Sequence, residues 1–114
     1  IKKNNRGRIT NFKEINSQFG NLMKAVKTKF KDTQVLIPGI FFRGDIVCED
    51  VNAVNESLGK LCEKFGMTFV DPNCWVTHSE SARDGLHLNA KGSRTYSKLL
   101  RRICESLAGR KEGN

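Results

Sequence analysis

The chain has 114 residues, 38% of them hydrophobic, with 20 Lys and Arg against 12 Asp and Glu and a formal net charge of +8. That length supports one small domain with a single core. No apolar run approaches the ~20 residues of a membrane-spanning helix, and the opening "IKKNNRGRIT" lacks the apolar stretch of a secretory signal, so the sequence reads as intracellular, without a membrane span.

The first predicted element is a helix over residues 12–30. Phe12, Ile15, Phe19, Leu22, Met23, Val26 and Phe30 recur at three- and four-residue steps and make one apolar stripe. "VLIPGIFF", residues 35–42, is continuously apolar, the pattern of a parallel strand covered on both faces. Proline cannot donate to a ladder, so Pro38 ends the regular strand near Ile37 and leaves a loop where open α/β sheets build their sites. A second helix over 49–65 carries Val51, Val54, Leu58, Leu61, Cys62 and Phe65 on one face, with Gly66 as its stop. "MTFVD", 67–71, is a short strand closed by Pro72. A loop over 72–88 holds Trp75, His78, Asp84 and His87. Asn89 caps a third helix over 90–108, whose inner face is Tyr96, Leu99, Leu100, Ile103 and Leu107. A strand–helix–strand unit with short connections implies a right-handed parallel crossover, hence α/β architecture and part of a doubly wound sheet.

Four cysteines, Cys48, Cys62, Cys74 and Cys104, show no C-x-x-C pair. They read as reduced thiols, with Cys62 and Cys104 on apolar helix faces. A zinc set of Cys74, His78 and His87 matches no common finger spacing, and no metal or organic cofactor is implied.

The chemistry gathers in "SARDGLHLNAKGSRTYSKLL", residues 81–100. Asp84 and His87 stand three positions apart, beyond a strand end and before a helix. A carboxylate that fixes the tautomer of an imidazole makes it a general base. The bland alternative is that Asp84 caps a turn and His87 is structural. "DGLHLNAKGSRTYSKLL" resembles the last conserved block of the SGNH, or GDSL-type, hydrolases, which supplies that family's catalytic Asp and His. "TQVLIPGIFFRGD" and "VNAVNESLGKLCEKFGMTFVD" are similar to the elements before that block, with Asn55 where such helices often carry Asn. The resemblance covers about residues 12–104. It implies a flavodoxin-like sheet of strand order 2-1-3-4-5, of which the two strands here are the last two. It also implies that Asp84 orients His87 as the base of a serine ester hydrolase acting on an acyl or acetyl ester.

The chain departs from that pattern where the nucleophile should be. The family's serine sits in a Gly-Asp-Ser block. "RGDIV" at 43–47 has Gly44 and Asp45 but no serine, and Ser79, Ser81 and Ser93 are too local to substitute. The oxyanion blocks are not found either. The chain reads as one C-terminal portion of such a domain, 1–114, starting after the third block. On this reading the nucleophile is outside the chain, and the chain alone is inactive.

Charge suggests a different class. Residues 1–31 hold nine Lys and Arg and one acid, 32–88 hold four and nine, and 89–114 hold seven and two. The basic ends, 1–11 and 109–114, read as flexible. On the third helix Lys91, Arg94, Lys98, Arg101 and Arg102 form a basic stripe opposite the apolar one, suited to nucleic acid or an anionic surface. The alternatives to an esterase portion are therefore a basic nucleic-acid-binding or accessory module, or an inactive remnant from a mobile-element protein. The strand at 35–41 is also expected to leave one long apolar edge unpaired, open to self-association.

Overall fold

The computed structural model describes residues 1–74 and 90–112. Three helices and a two-stranded parallel sheet follow one another as α1 (Phe12–Lys29), β1 (Leu36–Pro38), α2 (Cys48–Phe65), β2 (Thr68–Val70), a 3-10 turn (Pro72–Cys74) and α3 (Ala90–Glu112). β1 and β2 pair in parallel, with Leu36, Ile37 and Pro38 opposite Thr68, Phe69 and Val70. The architecture is α/β, as the strand–helix–strand pattern requires.

The core lies between α1, α2 and one face of the sheet. Val51, Val54, Leu58 and Cys62 are buried along α2 at helical spacing, against Ile15 and Met23 of α1, with Ile9, Ile46 and Met67 closing the cluster. Ile37 and Phe69 pack on the same cluster from the strands. Each such aliphatic side chain gains about 1.5–3 kcal/mol by leaving water. The stripe read along α1 is too wide: Leu22 is 56% and Phe30 46% exposed. α2 stops at Gly66, which takes the left-handed conformation (φ 67°) and donates its N–H to the carbonyls of Cys62 and Glu63.

α3 lies on the other face and runs antiparallel to the strands. The ring of Tyr96, near its start, meets Phe41 beyond the end of β1 edge-on, with centroids 4.9 Å apart. Gln34, just before β1, donates from Nε2 to the Leu107 carbonyl near the helix's other end at 3.5 Å. Thr68 and Val70, on the sheet face opposite Phe69, share a cleft with Ile103 and Leu107. Packing here is looser: Tyr96, Leu99, Leu100, Ile103 and Leu107 are half-buried. α3 also continues past the expected end at 108 to Glu112, through Gly109.

Two further expectations change. The edge of β1 is short. Gly39 N–H donates to the Val70 carbonyl and Thr68 N–H to the Val35 carbonyl, so residues 35, 37 and 39 face β2 while Leu36 and Pro38 face away. Pro38 has no N–H, and the outward edge loses a donor there. Among the described residues no strand pairs with it. Of the cysteines, all four are free, but only Cys62 is buried; Cys104 is exposed, at the flank of the apolar face of α3. Burial pushes the Cys62 thiol up from its ordinary range. Among the described residues no helix is long and apolar enough to cross a membrane.

The N-terminal segment, read as a loose basic end, is docked. Lys3 and Ile9 form an antiparallel bridge, and Ile9 is 6% exposed in the core. Asp50, in the first turn of α2 and 4% exposed, accounts for this. Its carboxylate accepts from Ile9 N–H at 2.8 Å and holds the Arg8 guanidinium at 2.9 Å. The N–H of Val47, the N-cap residue that has no side-chain cap to offer, donates to the Gly7 carbonyl at 3.0 Å. Asp50→Ala should cost about 1–3 kcal/mol, because it leaves the buried Ile9 N–H without its acceptor and Arg8 with only the more distant Glu49 carboxylate. Urea denaturation measures the cost, and limited proteolysis should then cut within residues 1–11. Unchanged resistance to cleavage would show that burial of Ile9 and the Val47–Gly7 hydrogen bond hold the segment without Asp50.

Candidate functional site

Parallel pairing puts the C-terminal ends of β1 and β2 on one side of the sheet, the side where open α/β sheets place their chemistry. Two segments leave from there: residues 39–47 from β1, and Asp71 with the 3-10 turn from β2. Beyond Pro38 the backbone has left the ladder, and its N–H and C=O groups still need partners. Two asparagine side chains supply them. Asn55, on α2 and 3% exposed, accepts from Ile40 N–H at 2.8 Å through Oδ1 and donates through Nδ2 to the Ile40 carbonyl at 2.9 Å. Its amide thus pairs with Ile40 as a peptide unit of a neighbouring strand would. Asn73, in the 3-10 turn, accepts from Phe42 N–H at 2.8 Å and donates to the same Ile40 carbonyl at 2.9 Å. The backbone donors fix which amide atom is oxygen in both residues.

The clamp leaves no room for a side chain at Gly39. A Cβ there would strike the Asn55 amide oxygen and stand 3.0 Å from the Phe69 ring. Asn73 is itself held by Asp71, whose Oδ1 accepts from Asn73 N–H at 2.9 Å. The resemblance drew attention to Asn55 but not to Asn73. The signal for Asn73 was "DPN" at a strand end, an Asp-initiated turn with proline preset for it.

Next along the first loop, Arg43 grips Asp45 with Nε and an η-nitrogen at 2.9 and 2.8 Å, and Lys3 stands 3.9 Å from the same carboxylate. Desolvation works against the ionised carboxyl. The hydrogen bonds and charge of Arg43, the loop backbone and the charge of Lys3 outweigh it, so Asp45 titrates below its ordinary range. "RGD" therefore forms an internal ion pair in which Gly44 and Asp45 brace the loop.

Asp84 and His87 lie outside the described residues, as do Trp75, His78, Ser79 and Ser81. The chain enters that stretch from Cys74, directly after the Asn73 clamp, and leaves it at Ala90, the first residue of α3. Of the zinc set, Cys74 is described and exposed. Among the described residues no group of three or more His, Cys, Asp or Glu is placed to hold a metal ion. Lys91, Arg94, Lys98, Arg101 and Arg102 are all exposed on α3. Ser93 is exposed on the same helix.

Two outcomes test this frame. Asn55→Ala should destabilise the domain by about 1–3 kcal/mol, since it leaves a shielded Ile40 N–H unpaired. Asn73→Ala should cost less, because Asn73 is only half-buried and water can replace it. Chemical denaturation compares them, and an equal or larger loss for Asn73 would refute the ranking by burial. Arg43→Gln should raise the titration of Asp45, followed by NMR of its carboxyl. The depressed value means that this pair's stabilisation is present above the ordinary carboxylate range and is lost as pH falls through the lowered value. An unchanged titration would assign the shift to Lys3 and the loop backbone.

No family model and no curated protein matches the chain. Among solved structures, the esterase domain of the ZfL2-1 ORF1 protein from the zebrafish ZfL2-1 retrotransposon superposes with a TM-score of 0.73 at 20% identity. The match covers 86% of this chain and 61% of that one, so the chain spans about three fifths of the length of that domain. At that identity the likeness is one of fold. This chain has the α/β fold of a substantial part of an esterase domain.

Proposed function

We propose that the chain is the C-terminal part of an SGNH-type serine ester hydrolase and carries its acid–base pair, Asp84 and His87. The observation that carries this reading is the esterase-domain fold together with the position of "DGLH" in the chain, between the clamped end of β2 and the start of α3. The neighbour's origin in a retrotransposon protein also agrees with a mobile-element source.

In this reading a serine outside these 114 residues attacks the carbonyl carbon of an acyl or acetyl ester. His87 takes the hydroxyl proton and returns it to the departing alkoxide, leaving an acyl-serine. Water then attacks the acyl-serine, again giving its proton to His87, and the serine is released with the free acid. Asp84 holds the imidazole in the tautomer that accepts from serine and stabilises the imidazolium formed in each half-reaction. The oxyanion donors also come from outside the chain. One such donor is worth roughly two to three powers of ten in rate, so the chain alone is inactive. Trp75 and His78 belong to the same stretch and have no assigned role.

The test uses two lengths of protein and short p-nitrophenyl esters. The 114-residue chain should give no turnover that depends on His87. A chain that includes a Gly-Asp-Ser block should be active, and His87→Ala should lower its kcat by several powers of ten, with Asp84→Asn less damaging. Turnover by the short chain that disappears in His87→Ala would place a nucleophile within it. Equal rates for the longer chain and its His87→Ala variant would remove the catalytic assignment.

A further inference from the structure

The five cations of α3 are left over by both the fold and the acid–base chemistry. At about 100° per residue, Lys91, Arg94, Lys98, Arg101 and Arg102 fall within an arc of about 100°, and they extend about 16 Å along the helix axis. All five are exposed. None of their side chains forms an ion pair or hydrogen bond with another described residue. Lys2, Lys3, Arg8, Arg43 and Lys60, by contrast, each stand against a carboxylate. Two shallow clefts flank the stripe and meet at Lys98. Ser93, Arg94, Ser97, Lys98 and Arg101 line one, three cations with two hydroxyls. Lys98 and Arg102 border the other, over Leu99 and Ile103.

We propose that this face of α3 binds the phosphate backbone of a nucleic-acid strand without reading its sequence. Guanidinium groups match phosphate oxygens in pairs, and the hydroxyls of Ser93 and Ser97 add donors along one edge of the stripe. No aromatic residue lies on the stripe. Tyr96 is on the opposite side of the helix, edge-on to Phe41, so no base-stacking platform accompanies the cations. An anionic membrane is the less suitable polyanion. A helix that lies in a bilayer surface buries its apolar face in lipid, whereas the apolar face of α3 is turned to the sheet and to Phe41. The surface is separate from Asp84 and His87 in sequence and in chemistry, and it stands whether or not they are catalytic.

The test measures binding of the 114-residue chain to fluorescent single-stranded oligonucleotides of two unrelated compositions, and to phosphatidylserine vesicles. Both oligonucleotides should bind alike. With about five phosphate contacts, affinity should fall about a hundredfold between about 50 and 200 mM salt. Replacing Lys98, Arg101 and Arg102 together by Gln should weaken binding at least ~10-fold and reduce the salt exponent by about 2. The charge-keeping set Lys98→Arg, Arg101→Lys and Arg102→Lys should bind within a few-fold of the parent. An equal loss when Lys13, Lys24 and Lys31 of the α1 region are replaced by Gln would reduce the effect to net charge and overturn the proposal. So would strong preference for one oligonucleotide, or binding to the vesicles alone.

Discussion

A chain that leaves a sheet beside a site must pair its peptide groups without a strand to pair with. Two asparagines meet that constraint here. Asn55 offers both halves of its amide to Ile40, and Asn73 takes Phe42 and the second lone pair of the Ile40 carbonyl. The clamp joins three elements: α2 through Asn55, the exit from β1 through residues 39–42, and the exit from β2 through Asn73. It dictates glycine at 39. Through Asp71 and Asn73 it also sets the direction in which the chain leaves β2 towards the stretch containing Asp84 and His87. A buried polar network of this kind stabilises only when every member is satisfied, and each of these groups is.

The remainder of the domain divides unequally about the sheet. On one face α1, α2 and the docked N-terminal segment share a closed core, tied by the Asp50 carboxylate to Ile9 and Arg8. On the other face α3 rests through half-buried residues and a T-shaped contact. Among the described residues the sheet has two strands, and the outward edge of β1 offers few backbone groups, one of them removed by Pro38. Both features agree with a chain that spans about three fifths of a comparable esterase domain.

The division bears on function. The frame around the strand ends, with loops braced by Asn55, Asn73 and the Arg43–Asp45 fork, is built from the described residues. The proposed proton-transfer pair lies in the sequence between Cys74 and Ala90. α3 is shared by two roles. Its apolar side completes the sheet's cover, and its opposite side carries five cations that no described residue neutralises. A helix can hold both because its two faces are nearly opposed, so one does not compromise the other.

The sequence alone determined the order and type of the elements, because period and punctuation are local. Spacing of three and four marked α1, α2 and α3, Gly66 marked a stop, and the apolar run broken at Pro38 marked a parallel strand, although its residues are half-buried, with Pro38 exposed, and not covered on both faces. The Asp84–His87 pair was legible only as a spacing and a resemblance. Tertiary structure decided what depends on distant partners. Residues 1–11 looked like a charged end because nothing local to them needs burial; Asp50, some forty residues away, provides the acceptor that docks them. Cys104 stands at the edge of the apolar stripe of α3 and stays exposed, and Leu22 and Phe30 are exposed on the stripe of α1. Asn73 carried only a turn signal. Its role depends on Ile40 and Phe42 being brought opposite it, and that proximity comes from the parallel pairing of two strands far apart in the chain.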